Sequence, residues 1–376
     1  MAVVLASCAQ TPPETEEVQQ PSLVGSVALE QSASDTAPRR LLDVGIIIFD
    51  AAPVDEASAQ LSEWLDTEIR EKETHYLPYV LRNTLVQSNQ WGAVRVLPEP
   101  DPSLDLEVYG TILRSDGVNL VLYVTARDST GKTWLANTYA DITGAEDFPN
   151  TVSAGAGRYS TVVESADPFQ DLYAQIANDL LAVKRALAAP QQNTIKQVSL
   201  LRYARDLSPE TFSRTLQEDD NGLLTAKALL AEDDPMTDRV ADIKRRHYVF
   251  IDTVDDYYAS LYEEMRPLYN LWRKYSREQI VDIRERNSLS AQGGNYGRSN
   301  FLAMSQRYNR YKWAKIYEQE FAALAQGFNN EIAPAILELN RQVHGLSGSV
   351  EEQYDQWRGI LRELFEVETG GDLSVN

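Results

Sequence analysis

Side chains spaced alternately four and three residues apart are the feature that most narrows the folds open to this chain. The spacing continues without a break through His247, Ile251, Val254, Tyr258, Leu261, Met265, Leu268, Trp272 and Tyr275. We call these nine residues the seam. Heptad spacing over four repeats places them on one stripe of an α-helix. The sequence therefore predicts one long helix with a largely apolar seam.

The predicted helix covers residues 235–286. At 1.5 Å per residue this corresponds to about 78 Å. Pro267 lies inside the helix and is expected to kink it, because proline lacks the N–H of the helical hydrogen bond. Glycines at 293, 294 and 297 are expected to end it.

A second apolar series follows between Phe301 and Leu339. Its spacing predicts another long helix over residues 300–343, bent at Pro334. The two helices would then form a long antiparallel helical hairpin, with residues 287–300 at its tip.

Four helix starts in the second half of the chain have capping signatures. Three place an Asp or Ser before a proline, and the fourth is a capping box; they are Asp167-Pro168, Ser208-Pro209, Asp234-Pro235 and Ser349 with Glu352. Proline suits the first helical position because its missing N–H has no partner there anyway. These starts predict an all-α domain over residues 165–368, followed by a tail at 369–376.

The preceding part, residues 41–150, alternates between strand and helix signals. Leu41 to Phe49 is almost continuously apolar, which is typical of a central strand covered on both faces. Helical spacing follows over Leu77 to Gln87. Further strands are predicted at Val94–Leu97, Leu104–Ile112, Val118–Val124 and Thr133–Ala140. The predicted fold class is α+β, with helices packed on a small mixed or antiparallel sheet.

A phosphate-loop pattern occurs at residues 126–133, which end in Gly131-Lys132-Thr133. A phosphate loop must open a helix, whose first N–H groups bind the phosphates. Here residues 134–140 continue with the alternation of a strand. The sequence therefore predicts a hairpin turn at 128–131, with glycine supplying a positive φ.

Composition limits the partners of the protein. The chain has 376 residues, which favours two domains and a tail. Its net charge of −21 disfavours binding to nucleic acid. No apolar run reaches the roughly 20 residues of a membrane-spanning helix. With one cysteine, Cys8, the chain can form no internal disulfide.

The run Leu5-Ala6-Ser7-Cys8 follows a short apolar start. It resembles the lipobox of bacterial lipoproteins. The resemblance implies that Cys8 is acylated with fatty acids such as palmitate and becomes the first mature residue. Ala9 behind it implies sorting to the outer membrane. Residues 1–7 are shorter than a full signal peptide and lack a cation, so we expect a truncated signal segment whose true start lies upstream.

Residues 8–40 combine this cysteine with a polar, proline-containing segment. Such a composition cannot bury enough apolar surface to offset its chain entropy. It predicts a flexible tether after the lipid. Its 32 residues beyond the cysteine would span about 30 Å as a coil and about 105 Å when stretched.

Residues 41–143 resemble a small α+β domain of envelope proteins. The segments that carry the likeness are 44–49, 79–85, 91–96 and 109–112. Similar domains occur in penicillin-binding-protein activator lipoproteins, in the curli-secretion lipoprotein and at the N-terminus of the Tol-system propeller protein. The resemblance implies an adaptor role and no catalytic residues.

No catalytic, metal or cofactor site is predicted. His75, His247 and His344 are scattered without metal-ligand spacing. His247 is interpreted as a packed or rim residue. The acidic group Asp252, Asp255 and Asp256 could bind a hard cation, but we interpret it as a solvated helix face.

The aromatic residues near the seam have two interpretations. Tyr257, Tyr262, Tyr269 and Trp313 could form a platform for a glycan or a partner helix. Packing is the favoured interpretation, because large amphipathic rings bury area and keep their polar tips at the rim.

The expected function is that of a non-catalytic adaptor or accessory factor for an envelope protein complex. The protein would be attached to the outer membrane by the lipid on Cys8 and would face the periplasm. A periplasmic hydrolase acting on envelope polymers is one alternative. Another is a structural lipoprotein that forms homo-oligomers through the seam.

Overall fold

The computed structural model of the protein describes residues 21–32, 41–53, 66–148, 167–227, 235–291, 336–339 and 342–369. The fold class is α+β, as predicted. Cys8, Trp313 and residues 301–335 lie outside the described residues. The predictions that concern them therefore stay predictions.

The first folded part contains a mixed sheet of six strands. In chain order they are β1 (Val44–Ile47), β2 (Asp50–Ala51), β3 (Val94–Leu97), β4 (Leu106–Ser115), β5 (Asn119–Asp128) and β6 (Thr133–Ile142). They lie in the order β3, β1, β4, β5, β6, and β2 also pairs with β4. β1 is parallel to β3 and β4, whereas β4, β5 and β6 form an antiparallel meander.

β1 is the interior strand that its apolar sequence predicts. All four of its residues are buried. Val44 is paired with Val94 on one side and with Leu106 on the other. Because both faces are covered, an alternation of polar and apolar residues is not required.

Local polar contacts and glycine form the two turns of the meander. In the first, Asp116 Oδ1 accepts hydrogen bonds from the backbone N–H groups of Val118 and Asn119, each at 2.7 Å. In the second, Gly131 has a φ of +88°. The pattern ending in Gly131-Lys132-Thr133 is thus a β5–β6 hairpin turn, as expected, and opens no helix.

Six helices and two small hairpins complete the described fold. They are α1 (Asp66–Ser88), α2 (Gln170–Ala186), α3 (Ala189–Leu207), α4 (Pro209–Phe212), the hairpin of β7 (Leu216–Glu218) and β8 (Leu224–Ala226), α5 (Pro235–Ala291), the hairpin of β9 (Ile336–Leu339) and β10 (Gln342–Gly345), and α6 (Val350–Thr369). Of the helices in the described part of the chain, none combines the length and apolar composition that crossing a membrane requires.

The capping predictions are confirmed in different degrees. At α6 the Ser349 N–H donates to Glu352 Oε2 at 2.9 Å, and the Glu352 N–H donates to Ser349 Oγ at 3.2 Å, which is a complete capping box. Asp167 Oδ1 accepts from the Phe169 N–H, but α2 begins at Gln170, later than predicted. α4 begins at Pro209 behind Ser208, whose side chain bonds Thr211 instead of a backbone N–H.

The long helix α5 begins at Pro235 as predicted and ends at Ala291, five residues after the predicted end. Its 57 residues correspond to about 85 Å. The seam is its buried face: His247, Ile251, Val254, Tyr258, Leu261, Met265 and Trp272 are all buried. α5 packs on α1, β3, α3 and α6. These seven residues are covered from within the chain and offer no free surface to a second copy.

The predicted second helix, residues 300–343, is wrong at its C-terminal end. Ile336–Leu339 and Gln342–Gly345 are paired antiparallel strands, with Leu339 opposite Gln342. Their apolar residues can satisfy a helical spacing or a strand alternation over such a short length, and pairing of the two strands decided between them.

One apolar core extends over both predicted units. A continuous cluster of buried residues runs from Leu42 in the sheet unit to Phe365 in α6. The aromatic residues near the seam belong to it: Tyr262 and Tyr269 contact Tyr76 of α1 at ring-centroid distances of 5.0 and 4.3 Å. For these two residues the packing interpretation is confirmed.

Part of the predicted tether is folded onto the body. Residues 21–32 cross from the edge of the sheet to the end of α1. Val24 N–H donates to Ala140 O at 2.9 Å, and Ser32 N–H donates to Ser88 O at 2.9 Å. The prediction of a flexible tether over all of 8–40 is therefore wrong for this segment, because specific backbone hydrogen bonds hold it in place.

Gly117 allows the β4–β5 turn to approach α5 closely. A Cβ at this position would lie 2.0 Å from the backbone nitrogen of Arg277. We expect Gly117→Ala to lower the free energy of unfolding by about 1–3 kcal/mol, because backbone must move to relieve the overlap. Urea-induced unfolding measures this.

Gly359→Ala is the matched control. Gly359 lies inside α6, and an added Cβ would meet no heavy atom of the described residues within 4 Å. Replacing a helical glycine should stabilise the protein by about 0.5–1 kcal/mol. Equal stability of Gly117→Ala and the wild type would contradict the close approach.

Candidate functional site

Two buried clusters of charged side chains attach α5 to the sheet. The first, the Asp101 cluster, consists of Asp101, Ser103, His247 and Tyr354. The second, the Glu73 cluster, consists of Glu73, Ser115, Asp167, Tyr269 and Arg273. His247 and Arg273 are 26 positions apart on α5, which corresponds to about 39 Å.

Asp101 lies in the loop between β3 and β4. Its Oδ2 atom is 2.7 Å from His247 Nε2 and accepts a hydrogen bond from the Tyr354 hydroxyl at 2.6 Å. Its Oδ1 atom accepts from the Ser103 N–H at 2.8 Å. One carboxylate thus joins the sheet loop to α5 and α6.

The environment of Asp101 keeps this carboxylate ionised. Burial alone would raise its pKa, but the charge and hydrogen bond of His247, together with the bonds from Ser103 and Tyr354, hold the pKa well below its ordinary value. Burial and the adjacent Asp101 raise the pKa of Tyr354, so the phenol remains a donor.

Aromatic rings enclose the imidazole of His247. Tyr203 of α3 is stacked on it, with 5.4 Å between centroids and 12° between planes, and Tyr354 is at 5.9 Å. Side-chain exposure is 0% for His247 and 1% for Asp101. In this conformation the pair cannot contact a substrate in solvent, and it acts as an anchor for α5.

The Glu73 cluster joins α1, the β4–β5 turn and α5. Glu73 Oε1 accepts hydrogen bonds from Ser115 Oγ at 2.5 Å and from the Tyr269 hydroxyl at 2.6 Å. Arg273 Nη2 donates to the same oxygen at 3.1 Å. Arg273 Nη1 donates to the carbonyl of Asp116 at 2.9 Å.

The guanidinium of Arg273 is fully buried between aromatic rings. Its Cζ lies 4.5 Å from the centroid of Phe169 and 4.7 Å from that of Tyr269. Such contacts are favourable for a cation that has lost its water. Burial raises the pKa of Asp167, and Arg273 opposes this rise. The cluster thus depends on one cation beside two acidic side chains.

A further set of ion pairs lies between the two clusters. Arg82 of α1 contacts Asp255 at 2.7 Å, and Asp255 also accepts from the Val96 N–H at 2.8 Å. Arg95 contacts Asp252 at 2.6 Å. The prediction of a solvated face for Asp252, Asp255 and Asp256 is therefore wrong for Asp255, which is buried, while Asp256 is exposed.

The structure does not bring the three histidines together as a site. His247 is packed, as interpreted from the sequence, whereas His75 is half-buried on α1 with its ring 5.9 Å from that of Tyr258. The side chain of His344 lies outside the described residues. Within the described ranges, no group of three His, Cys, Asp or Glu residues is arranged to hold a metal ion.

Sequence reasoning missed both clusters. Asp101 and His247 are 146 positions apart, and Glu73 and Arg273 are 200 apart, so no local spacing links them. One signal existed, since a titratable residue in an apolar seam needs a buried partner. His247 meets that description, but its partner could not be identified from the sequence.

The sequence matches no family model, and comparison with curated proteins found no match. Among solved structures, 38% of the chain is similar to a hypothetical protein from Chlamydia trachomatis, covering 94% of that protein. The sequence identity is 13% and the TM-score is 0.21. A likeness of this size bears on neither the fold nor the function.

Proposed function

We propose that this protein is a lipid-anchored adaptor of the bacterial envelope, attached through Cys8 and facing the periplasm. In this function the sheet and α5 form one rigid body that binds a protein partner. The lipobox resemblance at residues 5–8 and the adaptor-type resemblance of residues 41–143 support the proposal from the sequence.

The observation that carries the proposal is the attachment of α5. Buried ion pairs hold this helix at His247 and at Arg273. Arg277 Nε then donates to Thr143 O at 3.4 Å, and the helix continues to Ala291. The 14 residues beyond Arg277 correspond to about 21 Å. A helix held at these points can present its C-terminal part, beyond Arg277, to a partner at a defined distance and angle.

Attachment to the membrane is tested by metabolic labelling. We expect cells grown with radioactive palmitate to label the wild-type protein, and Cys8→Ser to abolish labelling and release the protein from the membrane fraction. Ser22→Ala, a similar small change outside the lipobox, should keep both properties. Labelling of Cys8→Ser, or its recovery in the membrane fraction, would contradict an anchor at Cys8.

Binding to a partner is tested by photo-crosslinking in living cells. Probes replace Arg284, an exposed residue on the distal part of α5, and Arg114, an exposed residue on β4. A probe at the exposed Glu351 of α6 serves as the position control. We expect one dominant crosslinked protein from at least one of the first two positions. Equal yields of the same product from all three positions would contradict a specific adaptor surface.

A further inference from the structure

A row of three polar side chains on α2, which we call the ladder, binds residues 21–32, mainly through their backbone. The ladder consists of Asp171, Asn178 and Arg185, each seven positions from the next. Seven residues are nearly two helical turns, about 10.5 Å, so the three side chains share one face of α2. Residues 21–32, which we call the strap, run along this face in the same direction as the helix.

The ladder contacts are made mainly with backbone atoms of the strap. Asp171 Oδ1 accepts from the Val27 N–H at 3.1 Å. Asn178 binds at two points: its Oδ1 accepts from the Glu30 N–H at 2.9 Å, and its Nδ2 donates to Ala28 O at 3.0 Å. Arg185 forms an ion pair with the Glu30 side chain.

Sheet and core contacts fix the strap at both sides of the ladder. Leu23 forms a parallel bridge with Ala140 of β6, and the side chains of Val24 and Leu29 pack against the core. At the far end, Asn89 Nδ2 donates to Ser32 O at 3.3 Å. The hydroxyl of Tyr139 in β6 donates a hydrogen bond to Asp179 Oδ2 in α2 at 2.7 Å. This bond joins β6 to α2, the two elements that form the site.

We propose that the face of α2 beside β6 is a binding site for an extended peptide, and that its ligand is the chain's own strap. This site also affects the distance between the folded body and the membrane. That part of the proposal rests on the proposed function, because it requires a lipid on Cys8. With the strap bound, only residues 9–20 remain between the lipid and the body. These twelve residues span at most about 40 Å, against about 105 Å for a fully released tether.

Strap binding therefore holds the body close to the membrane, and strap release allows the body to lie farther from the membrane. Most of the contacts that hold the strap are hydrogen bonds at partly exposed positions, each of modest net strength. Segments with few buried contacts open at much lower free energy than the core. The site thus allows exchange between a short and a long tether without unfolding of the body.

Hydrogen exchange on the full chain tests the binding site. The reference protein carries Cys8→Ser, so the readout does not depend on acylation. We expect the amides of Val24, Val27, Glu30 and Ser32 to be protected. Asn178→Ala should accelerate their exchange about tenfold, because it removes two strap contacts, and should leave the amides of β5 unchanged.

Gln170→Ala is the matched control, because Gln170 is on α2 but its Nε2 donates to Thr84 Oγ1 of α1 at 2.9 Å and to no residue of the strap. It should leave strap exchange unchanged. Strap amides that exchange at unstructured rates in the reference protein would overturn the binding site. Exchange that is the same with Asn178→Ala as without it would also overturn the role of the ladder.

The distance between the body and the membrane is tested separately, on the acylated chain in lipid vesicles. A donor dye is attached to the single free thiol of Arg114→Cys, and an acceptor lipid is placed in the vesicle. We expect Asn178→Ala to lower the energy transfer, and Gln170→Ala to leave it unchanged. Equal transfer in all three proteins would overturn control of distance. Loss of palmitate labelling would instead overturn the proposed function, while the exchange result would stand.

Discussion

Arg273→Met is expected to lower the free energy of unfolding by about 3–5 kcal/mol, the range for breaking one partner of a buried ion pair. The guanidinium is fully buried and donates to Glu73, Ser115 and the carbonyl of Asp116. Methionine keeps much of the apolar stem but leaves Glu73 and Asp167 without their cation. Urea-induced unfolding at neutral pH measures the change.

Lys274→Met is the control, because Lys274 is the next residue and is half-buried. It should change stability by no more than about 0.5 kcal/mol. Glu73→Gln combined with Arg273→Met should be less destabilising than the sum of the single changes by about 1 kcal/mol or more, since the two residues interact directly. Additive effects would show that the pair does not anchor α5.

His247→Phe is expected to be destabilising by a similar amount at neutral pH, about 3–5 kcal/mol. Phenylalanine preserves the ring that packs between Tyr203 and Tyr354 but leaves Asp101 as a buried charge without its partner. The hydroxyl of Tyr354 and the N–H of Ser103 still donate to Asp101. These two neutral donors cannot replace the charge of the imidazole.

The destabilisation by His247→Phe should depend on pH. In the wild type the pKa of Asp101 is depressed, so its stabilising contribution is complete above the unfolded pKa of about 3.9 and is lost as the pH falls below it. In the variant, burial dominates and raises this pKa. Protonation then relieves the buried charge, and the stability gap to the wild type should narrow between about pH 7 and pH 4.5.

Tyr203→Phe is the control for this series. The Tyr203 hydroxyl is buried and has no hydrogen-bond partner among the described residues, so its removal should change stability little at either pH. A stability gap for His247→Phe that stays constant from pH 7 to pH 4.5 would contradict the proposed role of His247 beside Asp101.

Much of the local structure could be predicted. The continuous apolar run of β1, the alternation of β4 to β6 and the Ser349–Glu352 capping box each depend on residues close in sequence, where spacing translates directly into geometry. The predicted second helix failed at residues 336–339 and 342–343 because its apolar spacing is compatible with either structure. Strand pairing, which the spacing does not encode, decided the outcome.

The candidate site was less predictable for the same reason. The seam residues identified a buried helix face, but not that α1, β3, α3 and α6 cover it. The polar, proline-containing composition of residues 8–40 as a whole predicted a flexible tether, since composition measures only how much apolar area a segment can bury. It does not register hydrogen bonds from residues 144 and 148 positions away, such as those to Asp171 and Asn178.

The sequence alone therefore determined the α+β class, the central strand, the β5–β6 turn and the start and buried face of α5, because these follow from periodicity and turn chemistry within a few residues. Only the tertiary structure decided that Asp101 and Glu73 anchor α5 and that the strap lies on α2. Those contacts join residues that are distant in the chain, and they form only where packing removes the side chains from water and leaves each buried charge in need of a partner.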